Sequence, residues 1–312
     1  MRDRLVVLAF RLGWALVRYV PERLMYAAVD RAARVVHRRG GEGVEQLRRN
    51  YARVRPDLGE EELDRVTGEG VRSAFRYYAE AFRLPALTGA DIDEQVRFGG
   101  PGAASLRADL DQGRPVLCFL GHLGNWDLAG AWCARHLGHV VTVAERLRPE
   151  EMFEAFLAFR EGELGMTIYP AAPGTLDRLR EQLASGEPVV MPLLADRDLS
   201  AKGVEVDLCG HRARVAAGPA ILAVETGLPV YVVSMWHERR GRRWGMDIEV
   251  GEPVRPAPGE TREEAVVGVT QRSVDQLGRA IAERPADWHM MQRVFLSDLD
   301  ADRLARARGE AA

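Results

Sequence analysis

The stretch "FLGHLGNWDLAG", residues 119–130, follows an apolar run with His122, flanks it with Gly121 and Gly124, and places Asp127 five positions later. An imidazole at the point where an apolar run yields to turn residues is placed to exchange protons with something outside the core. A carboxylate on one ring nitrogen makes it an oriented base. On a continuous helix His122 and Asp127 stand about 140° apart, so their side chains do not meet. The helix therefore starts after His122, with Asn125 near its N-terminus, and the glycine turn lets the imidazole swing toward Asp127. A second polar cluster, Asp196-Arg197-Asp198, closes the run "VVMPLLA". If the two runs are neighbouring strands, Asp196 also reaches the far nitrogen of His122, or Arg197 meets an anionic substrate. Both aspartates qualify as the partner carboxylate. The same triplet also reads as D-x-D, the pair of hard carboxylates with which many glycosyltransferases hold Mg²⁺ or Mn²⁺ against a sugar nucleotide, or as a solvated cluster of surface charges.

The elements that must position these residues follow from periodicity. From about 43 to 90 the pattern is helical, with "GVEQLRRNYARV" and then "EEELDRVTGEGVRSAFRYYAEAFRLP", whose Phe75, Tyr78, Ala79 and Phe82 fall at helical spacing. Beyond "LTGADI" short apolar runs take over: "VRFGG", "PVLCFLG", "HVVTVAE", "MTIYP", "PVVMPLLA", "VEVDL", "LPVYVVSMW" and "WGMDIEV" read as strands. Helical patterns at 125–137, 149–164, 174–185 and 217–227 separate several of them. That alternation predicts an α/β fold: a single large domain with a central, mostly parallel or mixed sheet covered by helices. The expected division is an N-terminal helical segment over 1–90, an α/β core over 91–300 and a polar tail, a fraying helix, over 301–312.

Composition narrows the function. The chain has 312 residues and a formal net charge of −3, and neither an aromatic–basic RNA signature nor zinc-finger spacing is present, so no nucleic-acid partner is expected. Three cysteines, Cys118, Cys133 and Cys209, lack ligand spacing and suggest neither a disulfide framework nor a zinc site. Residues 1–39 hold nine arginines against three acidic residues. Arg4, Arg11 and Arg18 recur every seven positions and share one helical stripe, while Leu5, Leu8, Leu12, Leu16 and Tyr19 fill much of the rest, up to Pro21. The apolar runs are too short and too often broken by Arg to span a bilayer, and no cleavage pattern of a signal peptide follows. An interfacial helix on an anionic membrane surface fits this stripe; a helix packed on the core is the plainer alternative.

"GHLGNWD" resembles the H-x4-D block of the glycerolipid acyltransferase superfamily, and "LLADRDL" with the glycine-rich stretch after it resembles the second block of the lauroyl and myristoyl acyltransferases of lipid A synthesis. The chain is most similar to their actinobacterial phosphatidylinositol mannoside branch, and the likeness extends over nearly the whole chain, including "YYAEAFRLP". The resemblance implies transfer of a fatty acyl group from acyl-CoA, as co-substrate and with no further cofactor, to a mannose of a mannosylated phosphatidylinositol glycolipid at the cytoplasmic leaflet. It implies His122 as base, with an acidic residue of the second block, here at Asp196, as its partner. It places Glu145 and Arg160 as paired polar residues near the site, with Asn125 and Trp126 beside them. Arg160 and Arg197 are then the favoured cations for anionic substrate, ahead of Arg146 and Arg148. Trp288 and His289 match the family's C-terminal aromatic signature, Trp288 chiefly as packing. His211 and His237 read as surface residues. No G-x-S-x-G elbow occurs and Cys118 lies within a strand, so direct transfer is expected rather than a covalent acyl-enzyme.

Overall fold

The computed structural model describes residues 19–145, 154, 157–158, 160–200, 202–241 and 243–308. Arg4, Arg11, Arg18, Arg146 and Arg148, together with much of the helix expected at 149–164, lie outside them. Three helices open the described chain: α1 (Glu22–Arg39), α2 (Glu42–Val54) and α3 (Glu60–Arg83). Pro21 stands as the residue before α1, where its fixed φ and missing N–H cost nothing. A short α4 (Gly89–Gln95) carries a capping box between Thr88 and Asp91 and leads into the sheet.

All eight expected strands form: β1 (Val96–Gly99), β2 (Val116–Leu120), β3 (His139–Ala144), β4 (Thr167–Pro170), β5 (Val189–Leu194), β6 (Val204–Leu208), β8 (Val230–Arg240) and β9 (Arg243–Val250). A ninth, β7 (His211–Val215), pairs with β6 in a separate antiparallel ribbon, and the sequence reading did not anticipate it. The other seven form one sheet in the order β1-β9-β8-β2-β5-β3-β4. Every pairing within it is parallel except the β8–β9 hairpin, so the sheet is mostly parallel. The interleaved helices are α5 (Ala103–Asp111), α6 (Trp126–His136), α7 (Thr175–Ala184), α8 (Gly218–Thr226) and α9 (Arg262–Glu283), with α10 (Ala301–Arg308) at the end.

The central strand β2 is buried at every position because both faces of the sheet are covered. Its side chains alternate between two cores: Leu117 and Phe119 pack with α2, α3, α8 and α9, while Val116, Cys118 and Leu120 pack with α5 and α6. The helices before residue 91 share the first of these cores through Ala33, Leu47, Tyr51, Val66 and Val71. Beside β2 runs β5 in parallel, with Leu120 level with Leu194. Two residues beyond each of these strand ends stand His122 and Asp196, which is how a β-order invisible in sequence brings them together.

Candidate active site

The loop after β2 is shaped by Gly124, which adopts φ 58°, and a Cβ there would stand 2.8 Å from the Met235 carbonyl oxygen. Only glycine fits this turn. His122 leaves it with Nδ1 2.7 Å from Asp196 Oδ1, while its backbone N–H donates to Asp196 Oδ2 at 2.9 Å. The Trp288 indole donates to the same Oδ2 at 2.8 Å. Three donors thus fix a carboxylate that is 1% exposed, while the His122 side chain is 37% exposed. Among the described residues, no hydrogen-bond partner meets His122 Nε2.

Burial alone disfavours the imidazolium; the Asp196 charge and hydrogen bond outweigh it, Arg197 opposes, Glu145 assists, and His122 ends above its ordinary value. Burial likewise raises Asp196, but His122 and the hydrogen bonds from it and Trp288 hold the carboxyl below its ordinary value. The arrangement is a base with one nitrogen oriented and the other presented.

The pairing of His122 with Asp127 does not form. Asp127, 2% exposed in the first turn of α6, accepts from Arg160 Nε at 2.6 Å and Nη2 at 3.0 Å, and from Tyr77 Oη at 3.0 Å. Helix geometry explains this: α6 begins at Trp126 and turns Asp127 away from the loop. It pairs with Arg160 instead. Burial disfavours the Arg160 charge, yet Asp127 outweighs it and keeps the guanidinium more basic than usual.

Asn125, expected among substrate contacts, is buried and serves as a cap. Its Oδ1 accepts from Leu128 N at 3.0 Å and its Nδ2 donates to Glu80 at 3.0 Å, so neither end is offered to a ligand. Trp126 is half-buried, tilted against Tyr77 with ring centroids 4.0 Å apart and edge-on to His122 at 5.7 Å, and forms a wall of the site. Glu145 directly follows β3 and is exposed. Arg197 is half-buried, anchored by Nε to the Arg293 carbonyl at 3.1 Å. The D-x-D reading fails on geometry: Asp196 is enclosed by three donors, and Asp198 turns into its own loop to accept from Ser200 N at 2.8 Å.

His237, read as a surface residue, is 7% exposed and belongs to a second polar cluster behind the loop. Glu80 meets its Nε2 at 3.2 Å, while Asp287 and Ser73 both meet its Nδ1, at 3.0 and 3.2 Å. Ser73, His237 and Asp287 are the residue types of a hydrolase triad, but hydroxyl and carboxylate share one ring nitrogen and Ser73 donates to Asp287 at 2.5 Å. No nucleophile is generated there. Cys118 is equally inert, since burial pushes its thiol far up. The sequence reading missed Glu80, Ser73 and Asp287 altogether and favoured packing over a substrate role for Trp288; a carboxylate within the aromatic stretch of an amphipathic helix, at Glu80, was the one available signal.

A mostly parallel sheet that sets an aspartate-oriented histidine at a strand end is the layout of an α/β enzyme site able to exchange a proton with a bound group. The family described as bacterial lipid A biosynthesis acyltransferase matches residues 3–297, and the chain belongs to it. A phosphatidylinositol mannoside acyltransferase of Mycolicibacterium smegmatis is 39% identical over 302 residues, covering 96% of this chain and 94% of the relative. A protein of the same name from Mycobacterium tuberculosis is 38% identical over 303 residues, covering 96% and 92%.

Proposed function

We propose that this protein transfers a fatty acyl group from acyl-CoA to a mannose hydroxyl of a phosphatidylinositol mannoside, with His122 Nε2 as the general base. The observation that carries the reading is the 2.7 Å contact of Nδ1 with a fully buried Asp196 on an imidazole that is itself 37% exposed. Nδ1–H donates to the carboxylate, which fixes the tautomer and leaves the Nε2 lone pair for the acceptor hydroxyl. As that proton moves to Nε2, the hydroxyl oxygen attacks the thioester carbonyl, CoA leaves as thiolate, and the imidazolium formed is stabilised by Asp196 and returns its proton to the leaving sulfur. Arg197 brings positive charge to the anionic substrates. Neither a covalent acyl-enzyme nor a metal takes part in this scheme.

The lipid acceptor calls for work at an anionic membrane surface, and we place the protein at the cytoplasmic face of the plasma membrane as a peripheral enzyme. No helix among the described residues is long and apolar enough to cross a membrane. Tyr19, Leu24 and Tyr78 are left exposed at 74%, 62% and 54%, on or next to helices α1 and α3, which pack together beside the site. The decisive assay incubates the pure protein with labelled acyl-CoA and phosphatidylinositol mannoside in vesicles. Acylated product and free CoA should appear in step and survive excess EDTA; loss on chelation, restored by Mn²⁺, contradicts the proposal. Replacing Arg4, Arg11 and Arg18 together by Gln should weaken salt-sensitive binding to anionic vesicles, and equal binding removes that stripe from the account.

A further inference from the structure

The cluster around His237 lies outside the chemistry just described, yet it touches every part of the loop that performs it. From α3, Glu80 meets His237 Nε2 and at the same time accepts from Asn125, the cap of α6, at 3.0 Å. From the turn after α9, Asp287 meets His237 Nδ1 and accepts from its backbone N–H at 3.2 Å, while the Asp287 carbonyl accepts from Gly124 N at 3.0 Å. One residue on, Trp288 donates to Asp196, and two residues on, His289 N donates to the His122 carbonyl at 2.8 Å. The loop of residues 122–125 is therefore gripped from two sides, and both grips run to the same imidazole.

We propose that His237 is a positioning residue: as a cation it draws Glu80 and Asp287 together, and through them it holds the His122 loop and the Trp288 indole that fixes Asp196. The inference rests on His122 acting as the base. Burial opposes charge on His237, but the two carboxylates outweigh it and carry its pKa up to about 9. Its surroundings are Glu80, Ser73 and Arg76 from α3, Asp287 and His289 from the turn after α9, and the edge of Trp244 from β9. Arg76 stacks 3.5 Å above Trp244, and its charge acts on Glu80 and Asp287. His289 stays neutral, pushed by burial down to about 3. Ser73 Oγ sits 2.5 Å from Asp287 and 2.9 Å from His289 Nε2, so hydrogen bonds tie this corner of the cluster together.

The test compares full-length parent with His237→Gln and the milder Glu80→Gln, which keeps the shape of the Glu80 grip and removes its charge. Thermal melts establish folding, acyl-transfer assays give kcat and KM against pH, and NMR of histidine-labelled protein follows the His122 titration, assigned with His122→Ala. In folded variants kcat should fall about tenfold or more while KM for acyl-CoA holds within about twofold, because a displaced base loses rate without losing binding. The His122 midpoint should fall, and the high-pH limit of kcat in Glu80→Gln should move to lower pH, since His237 then loses its proton earlier. Should His237→Gln not fold, Glu80→Gln decides alone. A folded variant with parental kcat and parental His122 midpoint overturns the proposal. If the parent shows no acyl transfer, the His122 midpoint still judges the positioning role, because that readout needs no substrate.

Discussion

His122 and His237 are both flanked by carboxylates, at 2.7 Å from Asp196 for one and at 3.0 and 3.2 Å from Asp287 and Glu80 for the other. Among the described residues, one has a ring nitrogen with no hydrogen-bond partner and the other has both nitrogens engaged. On the proposed mechanism, that single difference separates a base from a brace. A carboxylate on one side raises basicity and orients the ring, while carboxylates on both sides fix the proton in place and turn the imidazolium into a structural ion.

The largest way to sharpen this contrast is to remove each ring in turn. His122→Ala should cost about 10²–10⁴-fold in turnover with an unchanged thermal melt, because base catalysis is lost while little packing is. His237→Ala should instead lose about 3–5 kcal/mol of stability in denaturant titrations, since it removes the cation shared by the buried Asp287 and the nearly buried Glu80. The reverse pattern would exchange the two roles. Arg160→Met tests whether Asp127 belongs with the brace or the base: it strands a 2% exposed carboxylate and should destabilise by a similar 3–5 kcal/mol. An unchanged melt would show that the Asp127–Arg160 pair is dispensable to the fold. Trp288→Phe removes one hydrogen bond to a charged acceptor, worth about 1.5–3 kcal/mol, and should lower kcat about tenfold while the His122 loop stays folded. Parental kcat would mean that Asp196 needs only the histidine to hold it.

A last contrast is a pH dependence of stability with its own sign. His237 is raised from 6.5 to about 9, so its contribution is fully present below 6.5 and is lost as pH rises through 9. The melting temperature should therefore decline across that window, and the decline should be reduced in Glu80→Gln, whose His237 holds its proton less tightly. A decline of equal size in the variant would assign it to other groups.

Much of the site's location was legible in the sequence. The eight apolar runs marked the strands, and the change from "VLCFL" to glycine and from "PLLA" to charge placed His122 and Asp196 at strand ends. The choice between Asp127 and Asp196 was not legible, because it depends on β2 lying beside β5, a long-range pairing that local periodicity does not encode. His237 was misread for a related reason: "HERR" is a polar ending to a strand, but β8 continues through Arg240 and α3 covers its early part. Glu80 sits in a helix whose pattern announces one apolar face, and its partners stand 45 and 157 residues away. Trp288 looked like a packing aromatic because its indole N–H has a use only once Asp196 is beside it.

The central claim, that His122 is a base made more basic by Asp196, is tested most directly by kcat/KM for acyl transfer against pH in the parent and in Asp196→Asn. In the parent the rate should rise through one ionisation lying above 6.5, the histidine's ordinary value, because the acidic limb reports loss of the imidazolium proton. In folded Asp196→Asn, with burial no longer opposed by a carboxylate, that limb should move to lower pH while the plateau drops. The same midpoint in both proteins would contradict the account.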